Sequence, residues 1–171
     1  MKAAIIILTY LILSSALYAQ GVYTDPNTGL TIEYSSEWEE YSEGDFKGLV
    51  SDDGLINILS DAEDEPIQPE EFEELMQSNK KIIKMFLEGA LGDDSKIHDY
   101  GTMYFAGKDS YFILATIKED FDSDELYDID IKLILTTIGK YTSQVSILTA
   151  KSKFKKFLIK AEKLLSGAYF K

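Results

Sequence analysis

Two apolar runs, Ser110-Tyr111-Phe112-Ile113-Leu114-Ala115-Thr116-Ile117-Lys118 and Asp128-Ile129-Asp130-Ile131-Lys132-Leu133-Ile134-Leu135-Thr136-Thr137-Ile138, carry the architecture. In an extended chain, successive side chains point to opposite faces. The first run is apolar on both faces. In the second, Ile131, Leu133 and Leu135 line one face while Ile134 and Ile138 lie on the other. A strand apolar on both sides must be covered on both sides, which predicts a sheet forming the middle layer of a sandwich. The connections are short. Ala106-Gly107-Lys108-Asp109 joins a predicted strand over Thr102–Phe105 to the first run, and Gly139-Lys140 joins the second run to Tyr141–Thr149. Turns of that length make hairpins, so the sheet is expected to be mainly antiparallel. The fold class is therefore α/β in the α+β sense, a mainly antiparallel sheet sandwiched between helices.

The flanking sequence supplies the covering layers. In Ser152–Leu165, Phe154, Phe157, Leu158, Ala161, Leu164 and Leu165 form one apolar stripe, with lysines on the remaining arc. That is the pattern of an amphipathic helix. A second helix is predicted to start at Pro69, where glutamates suit the positive end of its dipole, with Gly89 and Gly92 as its stop. Upstream, Leu30-Thr31-Ile32-Glu33-Tyr34 alternates as a strand. Ser35–Trp38 is expected to be a break followed by one helical turn, with Trp38 anchored in the core. Gly44–Gly54 is expected to be loop, Leu55–Leu59 a short buried strand, and Asp61–Pro66 an acidic loop.

The first residues read as an address. Met1-Lys2 is a positive start, Ala3–Leu13 an apolar run, and Ser14–Ala19 a small-residue region. This is the layout of a secretory signal peptide, and the run is shorter than the roughly 20 residues that span a bilayer. The expected organisation is a cleaved signal over residues 1–19 and a single domain over 20–171, secreted or periplasmic, without a transmembrane segment after cleavage.

The chain of 171 residues has 30 acids against 17 lysines, with no arginine, no cysteine and one histidine, for a formal charge of −13. A basic surface is needed to neutralise phosphates, so a nucleic-acid binder is excluded. Absent cysteine removes disulfides and thiolate chemistry, and one histidine removes multi-histidine metal sites. The charge is uneven. Glu33–Glu74 carries sixteen acids and one lysine, whereas Lys132–Lys171 carries nine lysines and one acid. An acid-rich surface of this kind suits docking of a cationic or membrane-associated protein partner, with Glu37, Glu39, Glu40 and Glu43 as its candidate residues. The oligomeric state is not specified by these features.

No nucleophile elbow, Walker loop, dinucleotide fingerprint or zinc-protease motif occurs. No catalytic residue and no cofactor is assigned. Asp120, Asp122, Asp124 and Asp128 alternate in a predicted hairpin loop and could present oxygen ligands to calcium. Against a twelve-residue EF-hand loop, however, Glu125 replaces the turn glycine and Ile131 the bidentate glutamate. Low-affinity calcium binding is thus the second expectation. A hydrolase combining carboxylates with His98, placed just before a strand, is the third.

Tyr23-Thr24-Asp25-Pro26, Gly29–Tyr34 and Trp38 resemble the opening of PsbP-like proteins. Ala106-Gly107, Tyr111-Phe112, Leu135-Thr136, Gly139-Lys140-Tyr141 and Phe154-Lys155-Lys156-Phe157 resemble that family's ending. Two positions depart from the pattern: Ser35-Ser36 stand where a proline usually precedes the tryptophan, and Gly167–Phe170 replaces the usual serine-phenylalanine close. The resemblance implies an α-β-α sandwich and a non-catalytic binding or assembly role. Photosynthetic members are extrinsic photosystem II subunits, a relative of the same fold binds a small GTPase, and many exported bacterial members have no assigned role. No ligand motif carries over, and nothing in these residues supports a photosynthetic role.

Overall fold

The computed structural model describes residues 21–44, 46–62, 71, 72, 74, 77, 91, 95–120 and 126–171. Seven strands form one sheet in the order β3-β4-β5-β9-β8-β7-β6. They are β3 (Glu39–Glu43), β4 (Phe46–Ser51), β5 (Gly54–Ala62), β6 (Lys96–Phe105), β7 (Lys108–Asp120), β8 (Leu126–Ile138) and β9 (Tyr141–Ala150). A smaller sheet has the order β1-β2-β10, from Gly21–Thr24, Leu30–Tyr34 and Tyr169–Phe170. Each of these pairings is antiparallel.

The hairpins form where the turn chemistry allows. Ala106 and Gly107 both adopt positive φ, 50° and 84°, which gives the β6–β7 connection the two-residue geometry that matches strand twist. Gly139 at φ 61° opens the β8–β9 turn. Register then follows from the pleat. Tyr111 pairs with Leu135, Ile113 with Leu133 and Ala115 with Ile131, so the two apolar runs lie side by side with matched faces.

Both faces are covered. On one, a short 3-10 turn (Lys151–Lys153) leads into the C-terminal helix (Phe154–Leu165), which buries Phe157, Ala161 and Leu165. These meet Leu49, Ile56, Ile58, Ile134, Val145 and Ile147 of the large sheet and Leu30 and Ile32 of β2. Trp38 joins them, its ring centroid 5.8 Å from that of Phe157, with the Lys160 ammonium 5.1 Å from the Trp38 ring centre. On the opposite face Ile113, Ala115, Ile117, Ile129, Ile131 and Leu133 form a second cluster, with Leu91, Ile97 and Tyr100 packed on it. Glu71, Phe72, Glu74, Gln77 and Leu91 are helical, and the Phe72 ring stacks on Tyr111 at 4.1 Å. The rest of the helix predicted from Pro69 lies outside the described residues, as do the signal segment and residues 63–66 of the predicted acidic loop. Strand order explains why the chain runs over this face. It leaves β5 in mid-sheet and returns as β6 at the far edge, four strands away, a distance of about 19 Å at ordinary strand spacing.

Four expectations are corrected. Ser35–Trp38 contains no helical turn; it is a tight turn closed by the Trp38 N–H on the Ser35 carbonyl at 3.1 Å. Gly44–Gly54 is not loop but contains β4, and β3 precedes it. Glu39-Glu40-Tyr41-Ser42-Glu43 shows no apolar alternation because an edge strand leaves most of its side chains in solvent. Gly48 allows β4 to approach β5, since a Cβ there would lie 1.9 Å from the Ile56 carbonyl oxygen. Third, Asp61 and Ala62 continue β5. Fourth, His98 lies within β6, beside a register shift between Ile97 and Asp99, and not before the strand.

Phe157 is fully buried beneath Trp38, whereas Ile159, two residues along the same helix, is 64% exposed. Phe157→Ala is expected to cost about 3–5 kcal/mol through lost burial and the cavity left behind. Ile159→Ala should shift stability by no more than about 0.5 kcal/mol. Urea denaturation of the two variants checks the contrast.

Candidate functional site

The acidic residues singled out from sequence occupy the β3 edge of the large sheet, and the pleat divides them. Glu40 pairs across to Leu49, so it points to the helix side. There it accepts a hydrogen bond from the Tyr34 hydroxyl at 2.8 Å, and that bond raises the Tyr34 pKa. Glu37, in the preceding turn, lies on the same side, 3.6 Å from the Lys160 ammonium. Glu39 and Glu43 sit opposite Val50 and Phe46 and point the other way. Both are exposed and have no partner among the described residues. Tyr41 lies between them on that face and donates its hydroxyl to Asn57 Oδ1 at 2.8 Å. Burial there pushes its pKa up to about 12. Alternating carboxylates on an edge strand discourage pairing with a second neutral strand and leave a field that favours cations.

The structure also opens a cleft that the sequence did not announce. It lies between the C-terminal helix and the outer strands, with a volume of about 440 Å³. Met103, Phe105, Ile134 and Leu165 supply apolar walls, while Lys132 and Glu162 close one side as an ion pair at 2.6 Å. The Lys132 ammonium also stands 5.3 Å from the Phe112 ring centre. The one available signal was Lys132 itself, a cation inside the apolar stretch Ile131–Leu135, facing the one acid of the C-terminal helix. A second cleft of about 400 Å³ lies beside the β1–β2 turn. At its floor the buried Asp25 carboxylate accepts from the Thr28 N–H at 2.7 Å, the Thr28 hydroxyl at 2.6 Å and the Ser60 hydroxyl at 2.9 Å. Those bonds pin the small sheet to β5 and account for both carboxylate oxygens.

His98 is part of a cross-strand chain. Its Nε2 lies 2.7 Å from the Thr116 hydroxyl, which donates to Asp130 Oδ1 at 2.5 Å. Since the hydroxyl proton points to Asp130, Nε2 is the donor in the first bond. The arrangement ties β6, β7 and β8 together. His98 is exposed and lines neither of these two clefts.

Of the four calcium candidates, the described residues include Asp120 and Asp128. Asp120 ends β7 and Asp128 lies within β8, so the loop between them is shorter than the sequence implied. Asp128 is exposed and pairs with Lys151 at 3.1 Å. Asp122 and Asp124 lie outside the described residues. Among the described residues no three histidine or acidic side chains are grouped as metal ligands, and no helix is long and apolar enough to cross a membrane.

No protein-family model and no curated protein matches the chain. Among solved structures it is similar to the cyanobacterial PsbP of Synechocystis sp. PCC 6803, at 9% identity and a TM-score of 0.60, over 91% of this chain and 94% of that one. It is also similar to LpqN of Mycobacterium tuberculosis, described as involved in cell envelope biogenesis, at 11% identity and a TM-score of 0.52, over 87% and 88% of the two chains. At these identities the likeness concerns the fold, and the fold is PsbP-like.

Two measurements test the local geometry. Thr116→Val removes both bonds of the cross-strand chain and leaves Asp130 without its donor, so it should cost about 1–3 kcal/mol in thermal or urea unfolding. Tyr23 and Tyr41 both have pKa values raised to about 12 from 10.0, in each case first by burial. A group held neutral in the folded state stabilises fully below the unfolded pKa. Above it the unfolded chain loses the proton first, so stability should fall between about pH 10 and pH 12. Tyr41→Phe should flatten that fall in melts recorded across the range.

Proposed function

We propose that the protein is an exported, non-catalytic binding or accessory module, a single domain once residues 1–19 are removed, that docks a cationic protein partner on its acidic β3 side. The observation that carries this reading is the exposed Glu39–Glu43 face of an edge strand, where Glu39 and Glu43 have no internal partner among the described residues. A carboxylate pair fixed on a strand, with none of the described lysines beside it, keeps its charge available to a partner. The side-chain inventory supports the non-catalytic part, since the single histidine is exposed and ties strands together. The PsbP-like fold is consistent with an accessory role. The signal-like residues 1–19 support export, and the cell-envelope description of LpqN agrees with that setting.

The test is affinity capture from envelope extract with the chain beginning at Gln20. A specific partner should bind at about 50 mM salt and weaken about tenfold or more at 500 mM, because exposed charges are screened. Glu39→Lys, Glu40→Lys and Glu43→Lys combined should abolish it. Recovery of the same proteins by wild type and variant would show the reading to be wrong.

A further inference from the structure

The acidic edge leaves the other half of the charge distribution unexplained. In the C-terminal helix, Ile159 is 64% exposed, the most exposed aliphatic side chain among the described residues. Helical neighbours lie three and four positions apart, and for Ile159 these are Lys155, Lys156, Glu162 and Lys163, with Lys160 adjacent in sequence. An apolar side chain thus stands among Lys155, Lys156, Lys163 and one glutamate, while Lys160 turns to Glu37 and the Trp38 ring. The glutamate is already neutralised by Lys132 at 2.6 Å. Lys155 and Lys163 are exposed and have no partner among the described residues, and neither has Lys153 just before the helix. Lys156 reaches Asp53 only at 3.7 Å, with its side chain 83% exposed. The core does not need this arc, because the buried stripe of Phe154, Phe157, Ala161 and Leu165 lies on the other side.

We infer that this face of the C-terminal helix rests on an anionic phospholipid surface, with Ile159 entering the headgroup region and the surrounding lysines on lipid phosphates. Three features favour lipid over an acidic protein. The face is a single convex helix, which fits a planar, deformable surface better than a preformed pocket. Its cations are all lysines, flexible point charges suited to diffuse negative charge, and the chain has no arginine for directional, two-pronged recognition of a carboxylate. Long aliphatic stems let such lysines keep their ammonium groups at the interface while an apolar neighbour goes deeper. The overall negative charge does not prevent this, since attraction to a membrane surface is felt within about one Debye length, roughly 10 Å in 0.1 M salt. Docked this way, the protein would bind as a peripheral layer, not a spanning one.

The experiment is co-sedimentation of the chain beginning at Gln20, which contains every described element, with vesicles of phosphatidylcholine alone or with about one third phosphatidylglycerol. The expected result is binding to the anionic vesicles at about 50 mM salt, at least tenfold weaker at 500 mM, and none to phosphatidylcholine. Lys155→Glu with Lys163→Glu should reduce binding at least tenfold, and Ile159→Asp should reduce it while leaving the melting temperature close to wild type. If the double reversal unfolds, Lys155→Gln with Lys163→Gln serves instead and should show a smaller loss in the same direction. Glu39→Lys with Glu43→Lys should leave vesicle binding intact or stronger, which separates this face from the β3 docking reading. No binding to anionic vesicles, binding unaffected by the lysine changes, or binding to soluble polyglutamate but not to vesicles would overturn the inference.

Discussion

Strands β7 and β8 present apolar side chains on both of their faces, and a sheet of that kind persists in water only if each face is kept dry. At roughly 25 cal/mol per Å² of buried apolar area, either face left open would cost more than a typical domain's whole stability margin. The rest of the molecule follows from that requirement. The C-terminal helix brings Phe157, Ala161 and Leu165 against one face, and Phe72 and Leu91 come from the segment over the other. The crossing from β5 to β6 is the route by which the chain reaches the second face. With no disulfide available, this layered burial and the strand ladders are what hold the fold.

The central layer was legible because its signal is local and strong. Alternating apolar faces, a Gly at each of two turns and a helix stripe at 3.6-residue spacing each name one structure, and they agree with one another. The β3–β4 hairpin was hidden for the opposite reason. Its residues face solvent on an edge, so burial imposes no period on Glu39–Glu43, and Gly48, which reads as a loop residue, is there for close strand approach. Trp38 was legible as an anchor, but its partners Phe157 and Lys160 lie more than a hundred residues away, and sequence distance carries no hint of that contact.

The candidate surfaces divide in the same way. That acids cluster between Glu33 and Glu74 can be counted, yet which of them share a face depends on strand register. Glu37 and Glu40 turn toward the helix, where Lys160 and Tyr34 engage them, and Glu39 and Glu43 have no partner among the described residues. Opposite charge thus lies within one molecule in two states: paired where the helix meets the β2–β3 turn, and, among the described residues, without a partner at Glu39 and Glu43 of the β3 edge and at Lys155 and Lys163 of the helix. The cleft beside Lys132 shows a third outcome, a cation placed between Ile131 and Leu133 where one glutamate on the covering helix meets it.

The small sheet joins the first and last described segments. Strand β2 is flanked by β1 from the first described residues and β10 from the last, and the Lys171 N–H bonds the Gly29 carbonyl at 3.1 Å. Its far neighbour thus comes some 135 residues after β2 itself, a contact of very high sequence separation that raises the entropic cost of closure. Until Tyr169 and Phe170 arrive, one edge of β2 is open and the β2 side of the core lacks its last partner. A chain threading through a membrane from its amino end would keep that seam unclosed until Tyr169 and Phe170 had followed.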